Sequence, residues 1–132
     1  MTEYDSRNYS PAAPVGLVEL TNPHTGVVLE SVPMLLDTGA DTTLLPRQAL
    51  EQIGLTPDDD LGEDLAGFDG KGGFYSGVTL LLTFLGVEFE GKFLVLDDRH
   101  GILGRDILNN YVLLFDGPEH IWREIIGEEK LV

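Results

Sequence analysis

Apolar and polar positions alternate in short runs along this chain, and glycine, proline, asparagine and aspartate break the runs. "VGLVEL" (15–20) reads as a strand, "TNPHTG" as a turn and "VVLESVPMLL" (27–36) as a second strand, which predicts a hairpin. The residues before it, 1–14, are polar and punctuated by proline, and read as a flexible N-terminal arm; residues 15–132 read as one domain. "PRQALEQIGL" (46–55) predicts a short helix, with Pro46 in its first turn, where a missing N–H costs nothing, and Gly54 just past its end. "TPDDDLGEDL" (56–65) reads as an acidic loop. It lacks the spacing of oxygen ligands and the sixth-position glycine of an EF-hand, so a solvated loop is expected rather than a calcium site.

Further along, "LAGFDGKGGFYSG" (65–77) has the look of a long hairpin tipped by glycines, because Asp69-Gly70 and Gly72-Gly73 separate two apolar-aromatic arms. "VTLLLTFLG" and "VEFEGKFLVL" add two strands, "ILGRDILNNY" (102–111) an apolar strand end and a short helix, and "YVLLFDGPEH" another strand and turn. The final "HIWREIIGEEKLV" is open. Ile121 with Ile125, and Trp122 with Ile126, keep helical spacing, whereas the preceding "FDGP" suits a hairpin into a strand.

Composition narrows the picture. The 132 residues include 16 glycines and 7 prolines and are 42% hydrophobic, which favours an all-β domain of short strands and tight turns over a helical bundle. The net charge is −15, from 8 basic and 23 acidic side chains, and this argues against nucleic acid and anionic membrane as partners. The absence of cysteine excludes disulfides, thiol catalysis and cysteine-ligated metal. His24, His100 and His120 have no metal-ligand spacing, so neither metal nor other cofactor is expected. The N-terminus lacks the apolar core of a signal peptide, and a soluble cytoplasmic protein is the expectation.

One stretch does not fit plain strand-and-turn chemistry. In "VPMLLDTGADTTLLP" (32–46) an aliphatic run ends on Asp37. A charge beside buried apolar residues costs on the order of 2 kcal/mol or more unless it is paired or hydrogen-bonded. Asp-Thr-Gly alone is an ordinary turn former. Here, however, two leucines precede it, Ala-Asp follows it, a glycine-rich hairpin comes about 30 residues later, and "ILGRD" (102–106) comes after that.

With those flanks the sequence resembles the retropepsin-like aspartic proteases, the family of the retroviral proteases and their bacterial and cellular relatives. "LLDTGADTTLL" matches the catalytic loop, "GKGGF" is similar to the flap, and "ILGRDIL" to the second signature, where an apolar strand passes under the catalytic loop into a helix. The resemblance spans roughly residues 15–115 and implies a closed barrel with a glycine-rich flap hairpin and one or two short helices. It also implies peptide hydrolysis by water held between two carboxylates that share one proton, one acting as base toward water and the other as acid. This chain has a single such loop. The resemblance therefore implies a homodimer in which Asp37 faces its symmetry mate, with a peptide or protein as substrate.

The same resemblance assigns roles. Asp37, Thr38 and Gly39 form the catalytic triplet, with the Thr38 hydroxyl locking the two loops across the axis. Leu35, Ala40, Asp41, His100 and Ile102 border the substrate, and Gly70, Lys71, Gly72 and Gly73 form the flap that closes over it as an added strand. Asp41 and Arg105 correspond to an ion pair that supports the loop and the dimer. The chain departs from the retroviral pattern at Lys71, where an apolar residue is common, at Arg99 and His100, which replace an apolar wall, and in continuing to Val132. Two other readings compete with the endopeptidase. A non-catalytic relative would use the same barrel for dimerisation or peptide binding. A carboxylate-pair glycosidase would need a second well-placed acid within the chain, and no comparable strand end carries one.

Overall fold

Strand follows strand as the alternating pattern predicts. The computed structural model describes residues 1–66 and 72–127. In chain order the elements are β1 (Thr2–Glu3), β2 (Val15–Thr21), β3 (Val28–Leu36), β4 (Leu44–Pro46), α1 (Arg47–Gln52), β5 (Asp58–Ala66) and β6 (Gly72–Phe84). They continue with β7 (Val87–Leu96), β8 (Gly101–Leu103), α2 (Arg105–Leu108), β9 (Leu113–Asp116) and β10 (Ile121–Glu124).

The order β2-β3-β8-β4-β7-β6 is closed by a further pairing of β2 with β6, which makes a six-stranded barrel; β5 extends it beyond β6. Closure follows from the side-chain period of 2. Val18 and Leu20 on β2, Val32, Met34 and Leu36 on β3, and Val78, Leu80, Leu82 and Phe84 on β6 all turn inward and are buried. Beside Val18 on β2, Leu17 points outward and is largely exposed. One β-bulge between Val18 and Leu20 shifts the register of the β2–β3 hairpin. Helix α1 buries Ala49 and Leu50 on one side of this core. Buried Asn22 then donates to the Ile53 carbonyl at 2.8 Å and satisfies the end of that helix.

One expectation changes, and one open reading closes. The acidic 56–65 segment is not a loop: Asp58–Ala66 is strand, paired antiparallel with β6. It sits at the sheet edge, where acidic side chains stay in water and discourage pairing with other chains, so composition hid a strand that only its position makes tolerable. Gly77 on β6 shows how closely the two strands pack, because a Cβ there would stand 2.3 Å from the Leu61 carbonyl oxygen.

The open C-terminal segment is strand, since β10 pairs antiparallel with β9. Trp122 explains the choice: it is buried, and its indole N–H donates to the Val15 carbonyl at 3.0 Å, which ties β10 to the barrel. Residues 1–14, expected as a flexible arm, are hydrogen-bonded in two places. β1 pairs with β10, Tyr4 N–H donates to the His120 carbonyl at 2.8 Å, and Asp5 and Ala13 exchange backbone bonds of 2.8 and 3.1 Å. The edge of β10 not taken by β9, and the ring of His120 stacked on Tyr4 at 5.6 Å, give the arm partners that a linear reading of the sequence does not reveal.

Candidate active site

β3 ends at Leu36, and its last step presents Asp37 half-buried at the barrel's end. The backbone turns there at once. The N–H of Asp37 donates to the Leu103 carbonyl (3.0 Å), and Ala40 N–H returns to the Asp37 carbonyl (3.2 Å). Gly39 N–H donates to Asp37 Oδ1 at 2.9 Å. That bond fixes one carboxylate oxygen, so the half-buried group is oriented without being enclosed.

The support beneath this loop comes from "ILGRD". β8 runs parallel to β3, with Leu35 opposite Ile102 and Leu36 opposite Leu103. After β8 the chain passes under the loop so closely that a Cβ on Gly104 would lie 2.6 Å from the Thr42 backbone carbonyl; only glycine fits. Arg105 N–H donates to the Ala40 carbonyl at 2.9 Å, and the Arg105 guanidinium donates to the Thr38 carbonyl at 2.7 Å and pairs with Asp41. Both members of that pair are substantially solvent-exposed.

A second brace was not anticipated from the sequence. Thr43 is fully buried; its hydroxyl donates to Asp106 Oδ1 at 2.7 Å, and the Thr43 hydroxyl oxygen accepts from Gly104 N–H at 3.1 Å. Asp106 Oδ2 also accepts from Thr43 N–H at 3.0 Å. One carboxylate and one hydroxyl thus join the two segments that carry the candidate chemistry. The brace ties "DTT" (41–43) to "GRD" (104–106); the resemblance put those stretches together but not this pair of side chains.

Above the loop lies a cleft of about 520 Å³. Its floor is Asp37, Gly39, Ala40, Asp41, Leu44 and Ile102, and its roof is the β5–β6 hairpin, through Leu65, Ala66, Gly72, Gly73 and Tyr75. The predicted residues Asp37, Gly39, Ala40, Asp41, Gly72, Gly73 and Ile102 are therefore brought together. Thr42, Leu44, Leu65, Ala66 and Tyr75 complete the lining and were missed, because residues on a cleft wall look in sequence like any other strand or loop residues. Leu35, Thr38 and His100 stand outside the lining: Leu35 is half-buried beside Ile102, Thr38 has an exposed side chain, and His100 contacts Tyr9. Gly70 and Lys71 lie outside the described residues. Among the described residues no cluster of histidine and acid side chains is arranged to hold a metal ion.

The sequence profile of the aspartyl protease family matches residues 26–107, more than half of the chain and the whole stretch from β3 through the cleft to α2. No curated protein sequence matches. Among solved structures, the EIAV protease complexed with the inhibitor HBY-793 is similar, with a TM-score of 0.58 and 25% sequence identity over 74% of this chain and 86% of that one. The chain thus belongs to the aspartyl protease family and has the retropepsin-like fold.

Proposed function

We propose that this protein is an aspartic endopeptidase that works as a symmetric homodimer, each copy supplying one Asp37. The observation that carries the reading is the Asp37 carboxylate itself, held by one backbone N–H at the end of an apolar strand and open to a cleft roofed by a hairpin. One chain offers one such carboxylate. Water activation without metal or nucleophilic side chain needs a second, and a two-fold axis beside the loop supplies it.

In the paired site the two carboxylates share a proton, because like charges so close do not both ionise. The ionised one takes a proton from the water as its oxygen attacks the peptide carbonyl carbon. The protonated one gives its proton to the carbonyl oxygen, forming a tetrahedral diol. Collapse of the diol breaks the C–N bond and delivers a proton to the leaving nitrogen. The Gly39 N–H holds one Asp37 oxygen, Arg105 holds the loop through the Thr38 carbonyl and Asp41, and the β5–β6 hairpin pairs with the extended substrate and excludes water. The substrate is a peptide or protein, and the proposed setting is the cytoplasm, supported by a cysteine-free, acidic composition. Among the described residues no helix is long and apolar enough to cross a membrane.

The test is hydrolysis of an unfolded protein such as denatured casein by wild type and by Asp37→Asn. Asn is nearly isosteric and keeps an oxygen to accept the Gly39 N–H, but it cannot take a proton. Cleavage is expected from wild type, loss of more than a thousandfold from Asp37→Asn, and an unchanged mass in solution. Near-normal cleavage by the purified variant refutes the assignment. Binding without cleavage by wild type identifies the non-catalytic reading instead.

A further inference from the structure

Among the described residues three strands end their sheets: β5 beside the barrel, and β1 and β9 on the small sheet. A free strand edge pairs with another free edge unless something prevents it. β5 is guarded by Asp58, Asp59, Asp60, Glu63 and Asp64. β1 is two residues long and ends on Glu3. β9 has neither protection. It reads Leu-Leu-Phe-Asp, and with Tyr111 and Val112 ahead of it the chain runs through "YVLLF" (111–115) without a charge, proline or glycine. Its pairing with β10 keeps one register throughout, so no bulge twists the edge away.

Successive strand residues face opposite ways, so a strand with one wet face alternates apolar with polar. β9 does not. Leu113 packs on the hydrophobic core, and Phe115, on the same face, is 40% exposed. Leu114 and Val112 take the other face, where Val112 is also 40% exposed. Ile126 after β10 and Met1 before β1 are exposed as well, so four large apolar side chains in water attach to one three-stranded sheet. In a chain with 23 acidic side chains, such a patch is where two copies can touch with little like charge between them. The sheet is also well placed. Trp122 N–H donates to the Val15 carbonyl, Val15 lies opposite Leu35, and Leu35 stands two residues before Asp37. The small sheet is therefore fastened to the strand end that carries the candidate carboxylate.

We propose that β9 is the contact between two copies of this chain: the open edges pair antiparallel across a two-fold axis and join two three-stranded sheets into one of six strands, with Val112 and Phe115 covered by the second copy. The inference rests on the endopeptidase reading, whose site needs two copies, and names the surface that brings them together. Main-chain N–H and carbonyl groups of each edge supply the bonds, and the same patch serves both copies, as two-fold symmetry requires.

The experiment measures mass by sedimentation and cleavage of denatured casein, both over a range of concentrations of the full chain, for wild type, Phe115→Lys, Val112→Lys and Val28→Lys. Lysine makes each chain less negative, so general repulsion between copies falls and any dissociation comes from the altered edge. Val28 is a similarly exposed valine at the start of β3, the end opposite Asp37, and its variant is expected to match wild type. Phe115→Lys and Val112→Lys are each expected to raise the dimer dissociation constant at least tenfold. They should lose cleavage at concentrations where wild type is dimeric, and regain it as enzyme concentration rises. Amide hydrogen exchange of wild type gives a second measurement that does not depend on how a variant folds. Outward-facing amides within 113–116 are expected to exchange at least tenfold more slowly where dimer prevails than in dilute monomer. Unchanged exchange in β9 on dimerisation overturns the proposal, as does unchanged association of both folded β9 variants, or a wild type that stays monomeric at every concentration. A dimer that forms without β9 and still cuts casein keeps the endopeptidase reading and places the contact elsewhere. A wild type that dimerises through β9 and cuts no unfolded protein refutes that reading and leaves the surface standing.

Discussion

Thr43→Val isolates the brace beneath the Asp37 loop, because valine has nearly the shape of threonine and lacks only the hydroxyl. Two bonds disappear: the 2.7 Å donation to Asp106 Oδ1 and the 3.1 Å acceptance from Gly104 N–H. Their consequences differ. Asp106 is exposed, so water replaces the lost donor, and that loss falls at the low end of about 1.5–3 kcal/mol for a hydrogen bond to a charged group. Gly104 is buried, and its orphaned N–H costs roughly 1–3 kcal/mol because water does not reach it. The sum, about 3 kcal/mol, corresponds to a fall in Tm of roughly 10 °C for a domain of this size. Trp122, the sole tryptophan and buried, reports unfolding by fluorescence in guanidinium, with protein concentration held fixed because association also stabilises. Thr43→Ser, which keeps the hydroxyl, is expected to lose only about 1 kcal/mol. If Thr43→Val stays within about 0.5 kcal/mol of wild type with an unchanged denaturant slope, the hydroxyl does not hold the two segments together, and the account of the loop's support is wrong.

Arg105→Ala separates stability from function: the Asp41 pair is exposed, so unfolding shifts by less than about 1 kcal/mol, while loss of the donor to the Thr38 carbonyl lowers peptide cleavage at least tenfold. A larger loss of stability with little loss of activity would contradict this. Tyr111 donates to the Phe84 carbonyl at 2.6 Å, and burial, with Glu124 adding to it, pushes its phenol from 10.0 up to about 12. The stability linked to that shift is complete below pH 10 and disappears as pH rises through about 12, so Tyr111→Phe should flatten the alkaline fall and cost about 1 kcal/mol at neutral pH. Each chain carries −15, so at low salt two copies repel. Cleavage should therefore rise with salt near 0.1 M, where the Debye length is about 10 Å, and rise more steeply than linearly with enzyme while monomers predominate. Strictly linear dependence from a protein shown to be monomeric would leave no place for a shared site.

What the sequence revealed, and what it hid, follows from the range of the interactions. The β2–β3 hairpin, helix α1 and the turn at Asp37 depend on neighbours in the chain: alternation, Pro46 ahead of the helix, Gly39 behind the aspartate. Each was legible from a few residues. β5 was not, because Asp58, Asp59 and Asp60 argue against a strand until β6 is known to lie alongside. β10 stayed ambiguous because Trp122 satisfies helical and strand spacing equally, and its partner, the Val15 carbonyl, is more than a hundred residues away in sequence. The cleft divides in the same way. Its floor from Asp37 to Asp41 is continuous chain and was expected, whereas Tyr75 and Leu65 enter it by the register of the hairpin. The Thr43–Asp106 brace is likewise a meeting of distant segments.

β6 has a consequence for how the protein divides mechanical labour. From Gly77 to Phe84 it is clamped along its length by β7 and, at Leu81–Thr83, by β2 as well. From Gly72 to Gly77 its partner is β5, which is itself an edge. A single strand is thus anchored masonry at one end and a cantilever at the other, with Gly77 at the fulcrum. A two-stranded arm has little stability of its own. Its excursions therefore draw on local hydrogen bonds rather than on the buried core, and the roof of the cleft can be re-lettered at Leu65 or Tyr75 while the barrel that aims Asp37 stays as it is.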